Sequence, residues 1–162
     1  MTSDVLHLCP GDKNNYLSGH IRLLRDSYKT LTGKDIVNDA LNDIQTAKVI
    51  YYSTSIVLSH DTQSDPILNY ANQAGLELFN MEWEQMLTTP SRLTAESMEQ
   101  EERQRLLDKV STQGYIDDYS GVRITTKGRR FKIERATVWN LVDPSGVYKG
   151  QAAMFSDYTY LD

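Results

Sequence analysis

Apolar and polar positions in the C-terminal part of the chain fall into three strand-like runs, Asp118 to Thr126, Arg130 to Val142 and Val147 to Asp157. Lys127-Gly128 and Asp143-Pro144-Ser145-Gly146 separate them. β-Branched and aromatic runs divided by turns of this composition predict successive hairpins, a three-stranded antiparallel meander. Three strands bury one face at most, so the rest of the chain is expected to supply a cover.

The N-terminal pattern is helical. Leu17, Ile21, Leu24, Tyr28 and Leu31 form one stripe, with Asn14 or Asn15 available as a cap and Gly33 as the end. The stripe can lie on the chain's own sheet, or it can form a homodimer seam, since two heptads are too few for an independent coiled coil but enough to help a dimer. A second helix is predicted from Lys34 or Asp35 to about Tyr52, with Val37, Ala40, Leu41, Ile44, Ala47 and Tyr51 on its apolar side. A hairpin follows, SIVLSH at 55–60 and an extended piece at Pro66 to Tyr70. Asn72 then caps a short helix, Trp83, Met86 and Leu87 suggest one more turn, and Met98 to Gln113 reads as a longer helix ended by Gly114. In that helix Ser97 and Gln100 have the spacing of a capping box, Leu106, Leu107 and Val110 give a narrow buried side, and Glu99–Arg103 and Glu101–Arg105 are spaced for surface pairs.

Strand alternation places Asp117, Tyr119, Gly121 and Arg123 on one face of the first meander strand. A Tyr and an Arg together suit an anionic ligand, because a planar guanidinium fits a carboxylate; an internal Arg–Asp contact is the structural alternative. On the second strand neither alternate set is wholly apolar, which predicts that both sheet faces are covered, one by the middle helices and the other by the N-terminal helices. Gly150, Ala152 and Ala153 leave room beside Trp139 and Tyr119, either for a ligand or for a close-packed helix. Tyr70, Tyr119, Arg123, Trp139 and Gln151 are therefore the candidate pocket residues.

At 162 residues, 40% hydrophobic and 24% charged, the composition is that of a globular domain, and a net charge of -5 argues against coating a nucleic acid. The most basic segment, Lys127, Arg129, Arg130, Lys132 and Arg135, spans a hairpin tip and reads as a solvated face. One cysteine, Cys9, permits no intrachain disulfide, and no apolar run of spanning length exists, so a cytoplasmic protein without a membrane segment is expected. His7, His20 and His60 are scattered, which predicts no metal site, and no nucleophile elbow or phosphate loop is present.

The order of elements, with DPILNYANQAGLELF at the passage from second strand to core helix, resembles that of PAS domains. More closely, RDSYKTLTGK, SHDTQSDPILNYANQAGLELF, TPSRLTAE with ERQRLL, DYSGVRITTKGRRFKIERATVWNLVD and GQAAMFSDY resemble the MEKHLA domain, a PAS-related family of small stand-alone bacterial, notably cyanobacterial, proteins and of the C-termini of plant homeodomain-leucine-zipper regulators. The plant members' homeodomain, zipper and lipid-binding module have no counterpart before the match. The resemblance implies an α+β fold, a PAS-like five-stranded antiparallel sheet with core helices on one face and an N-terminal helical extension. The expected division is a lead-in at 1–13, the helical extension at 14–53 and the PAS-like core at 54–162. Flavin-type light sensors carry an Asn-Cys-Arg-Phe-Leu segment on a core helix, whereas Cys9 lies outside the match, so flavin-adduct chemistry is not expected. Haem would need an axial ligand, for which His60 is the candidate, although a turn histidine bonding its own loop is the simpler reading. The cofactor is left open.

The implied function is a non-enzymatic sensory or regulatory module that binds a small molecule or a partner protein and signals through dimer or partner contacts. A pure interaction and dimerisation module is the alternative. A third reading is a cavity enzyme using Asp117 or Asp118 with Tyr119, which requires a buried carboxylate.

Overall fold

The computed structural model of the chain describes residues 8–38, 40–95 and 97–161. The meander forms as β3 (Tyr115–Ile124), β4 (Arg130–Val142) and β5 (Tyr148–Phe155), with Gly128 and Gly146 at positive φ in its two turns. The earlier hairpin supplies β1 (Ile56–His60) and β2 (Leu68–Ala71); β1 pairs with β5, and the antiparallel order is β2-β1-β5-β4-β3. A further strand, β6 (Asp157–Leu161), continues the path of β5 along β4 past a break at Ser156.

That break lies opposite a bulge in β4. Arg135 has a φ of 55°, and against β3 the register shifts between Tyr119 and Gly121, so Glu134 and Arg135 together face one residue. The side-chain phase of β4 therefore changes: Phe131 and Ile133 point to the same face as Ala136 and Val138, while Trp139 and Leu141 point to the other. The mixed polarity of both alternate sets has this cause. A second shift between Ile116 and Tyr119 makes the same break in β3.

Both faces of the sheet are covered. On one lie α3 (Gln73–Phe79), α4 (Trp83–Met86), a single turn at Ser91–Thr94 and α5 (Ser97–Gln113). On the other lies α1 (Ser18–Thr32), with α2 (Asp43–Tyr51) packed against it through Arg25, which donates to Thr46 Oγ1 at 2.8 Å. Ile21, Leu24 and Tyr28 of α1 are buried; the indole Nε1 of Trp139 donates to the Leu24 carbonyl at 3.2 Å, and the Tyr28 ring stands edge-on to Trp139 at 5.0 Å. The stripe is thus consumed by the chain's own sheet, and Leu17, Ile21, Leu24, Tyr28 and Leu31 do not form an exposed homodimer seam.

Two helix boundaries differ from the sequence pattern. Asn15, Tyr16 and Leu17 all have positive φ, so α1 starts only at Ser18, and Asn14 instead accepts from the Gly11 amide and donates to the Leu8 carbonyl. Residues 34–38 and 40–42 are not helical; α2 starts after Asn42, whose side chain accepts from the Gln45 amide at 2.8 Å while Gln45 reaches back to Asn42. Ala47 and Tyr51 are buried as expected and Thr46 and Ile50 join them, whereas Ile44, expected on the buried side, is exposed.

Asn72 caps α3 as expected and does more. Fully buried, it accepts from the amides of Gly75 and Val57 and donates to the carbonyls of Ile50 and Ser55, joining the end of α2, the start of β1 and α3 at one side chain. The Ser97 cap falls outside the described residues, as does the side chain of Glu99. No helix among the described residues is long and apolar enough to cross a membrane.

Candidate functional site

The sheet, α3, the Ser91–Thr94 turn and α5 border a partly open cavity of ≈ 70 Å³. That is room for about two waters at roughly 30 Å³ each. The bulge in β4 and the small residues of β5 make this space, since Ala136, Ala152 and Ala153 all stop short of it. Leu58, Ile133, Val138 and Phe155 supply an apolar wall, and the polar groups gather on β1, β3 and α5.

Two arginines face the cavity. Arg123 of β3 is only 8% exposed; its Nη1 donates to the Val122 carbonyl at 2.9 Å, and its guanidinium carbon lies 5.1 Å from the centroid of the Tyr119 ring. Gly121 permits this, because a Cβ there would collide with the Tyr119 hydroxyl. Arg103 reaches in from α5 and donates through Nη2 to Ser91 Oγ. Burial lowers its pKa to about 10, helped by the nearby charge of Arg123, which still leaves it protonated near neutral pH. Among the described residues no Asp or Glu lines the cavity, so these cations face it without a carboxylate. The Arg–Asp contact weighed for Arg123 does not form; Asp117 and Asp118 are both exposed.

His60 ends β1 at the same wall, 7% exposed. Its Nδ1 donates to the Asp61 carbonyl at 2.9 Å, the turn contact foreseen for it, which leaves Nε2 as a lone-pair acceptor without a hydrogen bond of good geometry among the described residues, although the Gln151 side chain stands near enough to act on the ring. Burial first, and also the charge of Arg103, hold its pKa below the ordinary histidine value against the pull of the Asp61 carbonyl and of the Gln151 side chain. Gln151 of β5 also lines the cavity, its amide donating to Asn140 Oδ1 at 2.9 Å.

Of the five candidate pocket residues, Tyr119, Arg123 and Gln151 come together here. Tyr70 and Trp139 do not line the cavity: Tyr70 is packed between His20 and Trp83, and Trp139 lies under α1. Sequence reasoning missed Arg103, because its spacing from Glu99 suggested a surface pair. Its bond to Ser91 instead holds the guanidinium at the cavity. Among the described residues no three His, Cys, Asp or Glu side chains gather as metal ligands.

The MEKHLA domain model matches residues 18–160, taking in the N-terminal helices as well as the sheet. The homeobox-leucine zipper protein ATHB-9 of Arabidopsis thaliana is 25% identical over 131 residues, 76% of this chain and 15% of that protein; HOX32 of Oryza sativa subsp. japonica is 22% identical over 145 residues, 86% of this chain and 16% of that protein. The chain thus spans about a sixth of the length of these curated relatives. Among solved structures, a PAS domain from Colwellia psychrerythraea superposes with a TM-score of 0.60 at 17% identity, covering 72% of this chain and 94% of that one. The light-state dimer of the fungal blue-light photoreceptor Vivid gives 0.57 at 14% identity, covering 83% and 90%. These likenesses establish a PAS-like α+β fold. The flavin of light-oxygen-voltage proteins does not fit the residues present: three fused rings exceed a ≈ 70 Å³ cavity, and Cys9 is exposed, its sulfur at the Tyr51 hydroxyl. A haem is larger still. With nearly the whole described chain inside the family model, from the first residue of α1 to Tyr160, this chain belongs to the MEKHLA domain family.

Proposed function

We propose that the chain is a non-enzymatic, cytoplasmic PAS-like regulatory module that takes a small molecule between sheet and helices. Residues 54–162 form the sensing core and 14–53 its helical cover. One observation carries this: the cavity has partly or fully buried polar groups turned toward it, where a merely structural gap would be lined by apolar side chains. The exposed position of Asp117 and Asp118 removes the carboxylate on which the enzymatic alternative rested. Output passes through a partner surface or a dimer, as in the light-state dimer of Vivid, but not through the buried stripe of α1.

Native mass spectrometry of freshly purified protein, beside the variant Ala136→Leu, tests the proposal. Ala136 is 1% exposed and borders the cavity. Leucine there fills space built for a ligand, so the variant should retain no small molecule while its unfolding free energy stays within about 1 kcal/mol of the parent or rises; in a close-packed core the same change costs about 1–3 kcal/mol. A destabilised Ala136→Leu together with a ligand-free parent would sink the cavity reading.

A further inference from the structure

Resting on that reading, we infer that the cavity selects a small organic acid, its carboxylate received by Arg103 and Arg123 and a hydroxyl or amine hydrogen donated to His60 Nε2. Buried cations are ordinarily paired, because removing a charge from water costs several kcal/mol unless an opposite charge or several hydrogen bonds replace the solvent. Here two guanidinium groups approach one cavity from α5 and β3, each with a single neutral hydrogen-bond acceptor among the described residues: Ser91 Oγ for Arg103 and the Val122 carbonyl for Arg123. Each guanidinium carries five donors, so most remain for a ligand. The two charges also repel each other, and an anion between them removes that cost, which gives the bound state an advantage unavailable to a neutral molecule.

The lone pair on His60 Nε2 narrows the choice further. With only the loosely placed Gln151 side chain beside it, this buried acceptor is satisfied by a donor on the ligand, and the Nδ1 bond to Asp61 fixes which ring nitrogen offers that lone pair. The sheet between His60 and Arg123, through Ile133, Val138 and Phe155 of β4 and β5, takes a short apolar body. Size sets an upper bound of about six non-hydrogen atoms, since the cavity has about half the roughly 150 Å³ that holds benzene. A planar carboxylate is favoured over a tetrahedral phosphate by this size and by the apolar wall.

Thermal and calorimetric titrations test this with acetate, propionate and lactate, their neutral amides, and inorganic phosphate at matched ionic strength. Proteins compared are the parent, Arg103→Met, Arg123→Met, Ala136→Leu and the control Arg105→Met, an exposed arginine of α5 paired with Glu102. The parent should bind the acids, lactate best, and the two cavity arginine variants should bind them roughly tenfold to a hundredfold more weakly, as expected for losing a charged hydrogen bond, with Arg105→Met unchanged. Because Arg103 and Arg123 face a cavity rather than a counter-ion, their replacement by Met should leave the ligand-free unfolding midpoint unchanged or raised, which separates recognition from folding. Amides binding as well as acids, or acids binding equally to the arginine variants, would overturn the anion assignment while leaving the cavity reading standing. A parent unmoved by every acid but with a stabilised Ala136→Leu does the same. Phosphate binding more tightly than the carboxylates overturns the choice of a planar acid. A parent that binds nothing, with Ala136→Leu destabilised, overturns both readings.

Discussion

His20 shows how single side chains in this fold are set by what buries them. Its Nε2 donates to Ser59 Oγ at 2.8 Å, because the Ser59 hydroxyl is itself spent on Asn69 Oδ1 at 2.5 Å, and the ring lies against Tyr70. Burial lowers its pKa from 6.5 to about 4. The sign follows from linkage: the unfolded chain takes up a proton first, so the stability contributed by neutral His20 is complete above pH 6.5 and is lost as pH falls toward 4. The loss is on the order of 3 kcal/mol. His20→Gln should flatten that part of the pH profile, so that chemical denaturation shows the parent losing its lead over the variant as pH falls from about 7 to about 4.5; parallel profiles would refute the assignment. Residue roles were unevenly legible in the sequence. Asn72 could be read as a cap from its place before an apolar helical pattern, but its other three hydrogen bonds depend on chain segments 15 to 22 residues away. Arg103 was hidden for the same reason: helical spacing tells which residues neighbour it on α5 and nothing about the sheet opposite.

At the scale of elements, β4 governs the site. Its alternation cannot be extrapolated through Arg135, where a left-handed residue changes which side chains face the cavity. Asp157 of β6 receives Arg135 Nε at 3.0 Å and Nη2 at 2.7 Å, fixing the bulge from the neighbouring strand. Positive φ costs little for glycine and most for a β-branched residue. Arg135→Gly should therefore keep the parent's melting temperature or raise it slightly, and Arg135→Val should lower it by several degrees, as followed by circular dichroism; equal melting of the two variants would contradict the strained bulge. The turns and three long strands were legible because Gly128, Gly146 and the Asp-Pro-Ser-Gly tetrad punctuate them. β6 was not, since no turn residue marks the break at Ser156. The late start of α2 was obscured by Val37 and Leu41, which continue the apolar spacing although neither is helical.

For the whole molecule, the sheet is an inner layer with helices on both sides, and α1 is part of the fold's core. Leu24 is fully buried. Leu24→Asp places a carboxylate under α1 and should cost more than about 3 kcal/mol, enough to unfold a marginal domain. Equilibrium denaturation checks this, and an undiminished midpoint would return α1 to the role of a docking surface. The three-layer arrangement was legible in outline from β4, whose two faces both carry apolar residues, and the order of elements pointed to the PAS-like sheet. The cavity was legible only as the small residues of β5, since its bounds depend on how α5 lies across the strands. Both tryptophans are buried and neither borders the cavity, yet Trp139 directly follows Val138, which does. The molecule therefore offers its own optical gauge: a ligand pressing on Val138 is expected to shift the emission of the indole on the other side of β4, to be read by fluorescence titration without any added label.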